Sequence, residues 1–133
     1  MRPRRAGATL SRVVLRCLIV DDSEAFLDSA SRFLSAQGLE VVRASYGVEA
    51  LQLAQKLEPD VVLVDVQLGD EDGLELTRRL SATAQAPRVI LISSHPQDDL
   101  AELIADSPAV GFLPKSALNA EAIARLASGP RGR

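Results

Sequence analysis

Aromatic side chains are scarce in this sequence, which has no tryptophan, one tyrosine and three phenylalanines among 133 residues. The interior must therefore be filled by aliphatic side chains, which supply most of the 47% of residues that are hydrophobic. A chain of this length is expected to fold as one domain with a core of its own.

Cysteine is represented only by Cys17, which lies within an apolar run. A single cysteine excludes a disulfide within the chain, and it excludes zinc sites built from several thiolates. It also fits a protein of a reducing compartment, where thiols stay unpaired. We therefore interpret Cys17 as a small core residue without a redox role.

The sequence also lacks an excess of positive charge and any long apolar run. Its net charge of −3 argues against direct nucleic-acid binding, because phosphate contacts need a basic surface. No run approaches the roughly 18 apolar residues of a membrane-spanning helix, so no membrane insertion is expected. Residues 1–12 contain the pair Arg4–Arg5, but Arg16 interrupts the apolar run that follows, which argues against a signal peptide. We interpret residues 1–12 as a flexible basic arm, and we expect a cytoplasmic protein.

Short apolar runs alternate with amphipathic stretches five times along the chain. The predicted strands cover residues 13–20, 40–44, 61–65, 89–92 and 109–113. The stretches between them have apolar residues at helical spacing, among them Phe26, Leu27, Ala30, Phe33, Leu34, Val48, Leu51, Ala54 and Leu57. This alternation predicts an α/β fold, with helices on both faces of a five-stranded parallel sheet. Because the second and fifth strands are the weakest, we place them at the edges. The predicted strand order is therefore 2-1-3-4-5, in a flavodoxin-like (βα)5 three-layer sandwich.

Polar residues follow four of these strands at the point where each strand ends. Asp21 and Asp22 follow the first strand, Asp65 ends the third, Ser93 follows the fourth and Lys115 comes just after the fifth. The carboxyl ends of parallel strands meet at one edge, so we expect these side chains to converge. Three close carboxylates resist joint ionisation, and a hard divalent cation such as Mg²⁺ relieves that conflict.

The chemistry that suits this set is phosphoryl transfer to a carboxylate. An aspartate can attack phosphorus to form an aspartyl phosphate. Mg²⁺, the Lys115 ammonium and the Ser93 hydroxyl would stabilise charge on the transferred group. The chain has neither GxxxxGK[ST] nor GxGxxG, so we do not expect a nucleotide held on this domain to be the donor.

With these pieces in order, the sequence resembles a response-regulator receiver domain of two-component signal transduction, of the stand-alone, chemotaxis-regulator-like kind. The resemblance covers about residues 13–126. It depends on four pieces, which are Asp21–Asp22 after the first strand, the loop Asp65–Gly73, Ser93–Ser94, and Gly111–Lys115.

The resemblance implies a role for each residue. Asp65 would accept phosphate from the phosphohistidine of a sensor histidine kinase or a phosphotransfer protein. Asp22 and Asp65 would ligate Mg²⁺ together with the backbone carbonyl of Gln67, and Asp21 would help through water. Lys115 would pair with the phosphoryl oxygens.

The resemblance also implies a conformational switch. Ser93 would move to hydrogen-bond the phosphoryl group, and Phe112 would turn inward as it does so. Phosphate would thereby bias a surface formed by the fourth helix, fifth strand and fifth helix, on which an unknown downstream protein docks. Purely structural roles stay open for both residues, because Ser93 could be an ordinary turn hydroxyl and Phe112 an ordinary core aromatic.

Three departures from the family pattern bear on these expectations. Ser116 follows Lys115 where the family often has proline with a cis bond, so we predict a trans Lys115–Ser116 bond and a shifted loop. Gly69 stands where the family often has proline, which predicts a looser loop. Gln67 and His95 occupy variable positions that influence the rate of dephosphorylation in the family.

We expect a basic arm at 1–12, a receiver domain at 13–127 and a short tail at 128–133, with no room for an output domain. The leading hypothesis is a signalling module that catalyses only its own phosphorylation and dephosphorylation. A scaffold that is never phosphorylated is one alternative. A phosphohydrolase with Asp65 as nucleophile is another, disfavoured because Gln67 stands where the aspartate-based hydrolases place a second acid.

Overall fold

The computed structural model describes residues 14–94 and 101–129. The predicted basic arm at 1–12, His95 and residues 130–133 of the predicted tail lie outside the described residues. Within those ranges, strands and helices alternate. In chain order they are β1 Arg16–Val20, α1 Glu24–Ala36, β2 Glu40–Ala44, α2 Gly47–Leu57, β3 Val61–Asp65, α3 Gly73–Ser81, β4 Arg88–Ser93, α4 Ala101–Ala105, β5 Gly111–Pro114 and α5 Ala120–Ser128.

The five strands form one parallel sheet in the order β2-β1-β3-β4-β5, which confirms the predicted topology. All five residues of the central strand β3 are buried. The edge strand β2 buries only Ala44, and no residue of β5 is fully buried. The most apolar of these strand sequences therefore lies at the centre of the sheet, and the less apolar ones lie at its edges.

Side chains of successive strand residues enter two separate cores, one on each face of the sheet. In β3, Val62 and Val64 pack on one face, and Val61 and Leu63 pack on the other. The first core is closed by α2 and α3, through residues such as Ala50, Ala54, Leu76 and Leu80. The second is closed by α1 and α5, through Leu27, Leu34 and Ile123. The predicted three-layer sandwich is thus confirmed.

Two residues assigned to the inward helix faces prove to be exposed. Phe33 of α1 is 50% exposed and Val48 of α2 is 61% exposed. The buried positions of α1 are Leu27, Ala30 and Leu34, at a spacing of three and four residues. Phe33 precedes Leu34 by one residue, so the helix turns it about 100° away from the sheet.

Other differences concern the ends of elements. Strand β1 begins at Arg16 and not at Val13, and β5 begins at Gly111 and not at Ala109. The loop after β3 contains a short antiparallel hairpin in which Gln67–Leu68 pairs with Glu71–Asp72. Among the described residues there is no cis peptide bond, which confirms the predicted trans Lys115–Ser116 bond. Over the same ranges, no helix is both long and apolar enough to cross a membrane.

Candidate functional site

Three carboxylates converge where β1 and β3 end. Asp21, Asp22 and Asp65 each contribute one oxygen atom, and these atoms lie within 4.8 Å of one another. Asp21 is fully buried, Asp65 is buried at 8% exposure and Asp22 is exposed. The parallel pairing of β1 with β3 brings the two strand ends to one edge, as the sequence predicted.

Asp65 is the central acid of the site. Its Oδ1 accepts a hydrogen bond from the backbone N–H of Gln67 at 2.9 Å, and its Oδ2 lies 3.0 Å from Lys115 Nζ. Burial raises the pKa of Asp65, and the negative charge of Asp21 acts in the same direction. The Gln67 N–H and the Lys115 ammonium oppose the shift without cancelling it, because both stabilise the ionised carboxylate.

Lys115 links two of the three acids. Its Nζ lies 2.7 Å from Asp21 Oδ2 and 3.0 Å from Asp65 Oδ2, and its side chain is 18% exposed. Burial lowers the pKa of Lys115, but the hydrogen bonds to Asp21 and Asp65 outweigh it, so the pKa is raised overall. The ammonium therefore stays charged at neutral pH and offsets the repulsion between the two carboxylates.

The sheet register also brings the predicted switch residues towards this edge. Asp65 pairs with Ile92, so Ser93 lies one residue further along β4, where it is buried at 2% exposure. Phe112 pairs with Leu91 and is half-buried against the core closed by α2 and α3. The positions agree with the predicted arrangement, while the switching roles of Ser93 and Phe112 stay predictions.

The site opens to solvent through a pocket of about 230 Å³ lined by Asp22, Asp65, Gln67 and Gly69. Gly69 has a positive φ of 58°, and a Cβ at this position would lie 3.2 Å from Asp22 Oδ2. Glycine therefore suits both the turn and the close approach of Asp22. Asp65 is itself one of the lining residues, so a donor that enters the pocket can reach it.

The donor set fits a small divalent cation. Carboxylates and backbone carbonyls are the oxygen ligands that Mg²⁺ prefers, and it retains several of its waters. Asp22 and Asp65 line the open pocket, and the exposed Gln67 lies beside them with its N–H bound to Asp65. Asp21 is already engaged by Lys115 and by the backbone N–H of Ser23, which suits the indirect role predicted for it.

Two residues at the site were missed by sequence reasoning. Phe26, interpreted only as part of the helical stripe, has its ring centroid 4.3 Å from Lys115 Nζ. Gly73 was recognised only as the end of the loop that follows Asp65, yet a Cβ there would lie 2.0 Å from the backbone oxygen of Asp65. The contact between Gly73 and Asp65 could have been suspected, because the two residues are close along the chain. The contact between Phe26 and Lys115 joins distant residues, and no local pattern in the sequence indicates it.

Comparisons with known proteins agree with this geometry. A family model described as the response regulator receiver domain matches residues 17–127. The chain is 37% identical over 114 residues to the response regulator MprA of Mycobacterium sp. (strain KMS), which covers 84% of this chain and 49% of that protein. The chain thus spans about half the length of that relative.

Solved structures share the fold. A two-component response regulator of the LuxR family from Aurantimonas sp. SI85-9A1 is 25% identical, with a TM-score of 0.79 and coverage of 91% of this chain and 90% of that one. A response regulator from Burkholderia pseudomallei, solved with a phosphorylated aspartic acid, calcium ion and citrate, is 27% identical. Its TM-score is 0.74, and the match covers 86% of this chain and 66% of that one.

Proposed function

This chain belongs to the family of response regulator receiver domains, and on that premise we propose that Asp65 is its phosphoacceptor. The observation that carries the proposal is the position of Asp65, which lines an open pocket together with Asp22 and has its Oδ2 3.0 Å from Lys115 Nζ. A carboxylate that lines an open pocket and is paired with an ammonium group is suited to attack phosphorus.

In the proposed transfer, an Asp65 oxygen forms a bond to phosphorus while the bond from phosphorus to the donor nitrogen breaks. The donor imidazole is protonated on its other ring nitrogen, so it takes the electron pair of the broken bond and leaves as the neutral base, and Asp65 becomes an aspartyl phosphate. Lys115, already within hydrogen-bond distance of Asp65, balances the charge of the phosphoryl oxygens. The Ser93 hydroxyl, at the end of the adjacent strand, donates a hydrogen bond to the same group.

The cation proposed for this site is Mg²⁺. Asp22, Asp65 and the backbone carbonyl of Gln67 would hold it, and Asp21 would act through water. When bound, it supplies positive charge that stabilises the phosphoryl oxygens and screens the three carboxylates from one another.

Receiver domains interact with histidine kinases or phosphotransfer proteins, and we propose one of these as the donor for this chain. Downstream, phosphorylation would act through Ser93 and Phe112 on the surface formed by α4, β5 and α5. The chain would catalyse only its own phosphorylation and dephosphorylation, with no other substrate.

Mass spectrometry after incubation with phosphoramidate and Mg²⁺ tests the proposal. The wild type should gain one phosphoryl group, and Asp65→Asn should gain none. Asp70→Asn is the matched control, because Asp70 is an exposed acid of the same loop outside the carboxylate cluster, and it should behave as wild type. Removal of Mg²⁺ with EDTA should suppress the gain.

Three outcomes would contradict the proposal. Phosphorylation of Asp65→Asn would move the acceptor elsewhere. A wild type that gains no phosphoryl group would favour an unphosphorylated scaffold. Rapid multiple turnover of small phosphate esters would favour a phosphohydrolase.

A further inference from the structure

The ammonium group of Lys115 lies over the aromatic ring of Phe26. The ring centroid lies 4.3 Å from Lys115 Nζ, well inside the range over which an aromatic face attracts a cation. The same nitrogen is 2.7 Å from Asp21 Oδ2 and 3.0 Å from Asp65 Oδ2. The ammonium is thus held by two carboxylates and one aromatic ring.

The backbone and the core keep this ring in place. Phe26 lies in the first turn of α1, where its N–H donates to the capping oxygen Ser23 Oγ at 3.2 Å. Its side chain is half-buried and packs against the core that contains Ile19 and Leu27. The ring is therefore held by α1 and by the core, whereas Lys115 reaches the site on a long side chain with many rotamers.

A ring and a carboxylate hold a cation in different ways. A carboxylate accepts hydrogen bonds from the ammonium and competes with the phosphoryl oxygens for them. An aromatic face attracts the charge electrostatically and leaves the three N–H donors available. Lys115 can therefore turn its donors from Asp65 to a phosphoryl group without leaving the ring.

We propose that Phe26 is a positioning residue for Lys115, and that its ring keeps the ammonium beside Asp65 and so accelerates phosphoryl transfer to that carboxylate. The inference rests on the function proposed above and adds to it a residue outside the set of acids, hydroxyl and lysine.

The kinetic test compares four proteins with phosphoramidate and Mg²⁺. Phe26→Leu removes the ring but keeps an apolar side chain, and it should slow phosphorylation roughly three- to tenfold. Phe26→Tyr keeps the ring and should react at close to the wild-type rate. Phe33→Leu is the matched control, because Phe33 lies on the same helix at 50% exposure, and it should not change the rate.

A second arm asks whether the effect passes through Lys115. In a Lys115→Met background the ammonium is absent, so adding Phe26→Leu should cause no further slowing. A loss caused by general damage to the fold would persist in that background. An equal loss in both backgrounds would overturn the proposal.

A third arm measures the contact without any phosphorylation. The chain has two lysines, Lys56 and Lys115, and Lys56 is exposed on α2. In NMR spectra of lysine-labelled protein, the side-chain protons next to Lys115 Nζ should be shifted upfield of those of Lys56 by the ring current. The shift should vanish in Phe26→Leu and survive in Phe26→Tyr. Two lysine signals at the same position in the wild type would remove the contact on which the proposal depends.

The outcomes separate the two proposals. A wild type that is never phosphorylated on Asp65 overturns the proposed function. A wild type that is phosphorylated, with Phe26→Leu reacting at the same rate, overturns only the role of Phe26.

Discussion

Glu71 accepts a hydrogen bond from the backbone N–H of Gly47, with 2.8 Å between Glu71 Oε1 and the nitrogen. This bond ties the hairpin after β3 to the first turn of α2, where a negative charge is favoured by the helix dipole. The hairpin also carries Gln67 and Gly69, which line the pocket together with Asp22 and Asp65. The bond therefore connects the wall of the site to the N-terminus of α2.

We expect Glu71→Ala to lower the free energy of unfolding by about 1 kcal/mol, because the N–H of Gly47 loses a charged acceptor. Glu71→Gln, which keeps an acceptor oxygen but not the charge, should lose less. Urea denaturation followed by circular dichroism measures both. Equal stability of wild type and Glu71→Ala would show that the bond does not contribute.

Gly47→Ala should destabilise the protein only when Glu71 is present. An added Cβ would lie 2.5 Å from Glu71 Oε1, so in the wild type the variant must displace that carboxylate and should be destabilised. In a Glu71→Ala background the clash is gone and alanine is the better helix former, so the same change should be neutral or stabilising. Denaturation curves of the four proteins in this double-mutant cycle measure the coupling between the two substitutions. Additive changes in the free energy of unfolding would contradict the expectation.

Asp65→Asn should stabilise the protein at pH 7. Burial raises the pKa of Asp65 in the folded state, so the stability that this group contributes is complete below its ordinary value of 3.8. It is lost as the pH rises through the raised pKa of the folded protein. Asparagine carries no charge to desolvate, and Lys115 still has Asp21 as a partner.

The stability of Asp65→Asn relative to wild type should therefore grow from acid to neutral pH. Denaturant midpoints measured in Mg²⁺-free buffer across this range give the comparison. Asp70→Asn serves as the reference for a surface acid in the same loop. If the stability of Asp65→Asn relative to wild type were instead greatest at acid pH, burial would not be the cause of the raised pKa of Asp65.

Lys115→Met should destabilise the protein by about 2–4 kcal/mol, because it leaves Asp21 buried without its cationic partner. Adding Asp21→Asn should restore a large part of the loss by removing that unpaired charge. Thermal and urea unfolding of the two single variants and the double variant measure the coupling. A double variant as unstable as the sum of the singles would show that the 2.7 Å ion pair is not the cause.

Gly73→Ala should lower the free energy of unfolding by about 3 kcal/mol or more, because the added Cβ would lie 2.0 Å from the backbone oxygen of Asp65. A backbone atom cannot move aside as the end of a flexible side chain can. Gly129→Ala is a matched control, since its nearest neighbours would be at ordinary contact distances of 3.6 and 3.9 Å. The control should be close to neutral. Comparable unfolding midpoints for the two variants would contradict the steric explanation.

The order of the strands in the sheet could be predicted because the burial of a strand determines which residue types it contains. A strand covered on both faces must be apolar at every position, as Val61–Val64 is, whereas an edge strand tolerates residues such as Glu40 and Arg43. The convergence of Asp21, Asp22, Asp65 and Lys115 followed from the same fact, since parallel strands end at one edge. Neither prediction required knowing how any side chain is oriented.

The orientation of side chains was the part that could not be predicted. Phe26 and Phe33 both fell within the apolar pattern of one helix, yet one ring contacts Lys115 and the other is exposed. The hairpin at Gln67–Leu68 and Glu71–Asp72 was also missed, because two-residue strands carry too little periodicity to be recognised.

By itself, the sequence determined the layers of this protein, the order of its strands and the edge at which its acids meet. These features depend on which residues avoid water, and the hydrophobicity of a residue is a property of its type alone. Only the tertiary structure decided that Lys115 bridges Asp21 and Asp65, that Phe26 faces its ammonium and that Glu71 reaches Gly47. Each of these contacts joins distant parts of the chain through a side chain with several rotamers, and the packing of the folded protein selects one of them.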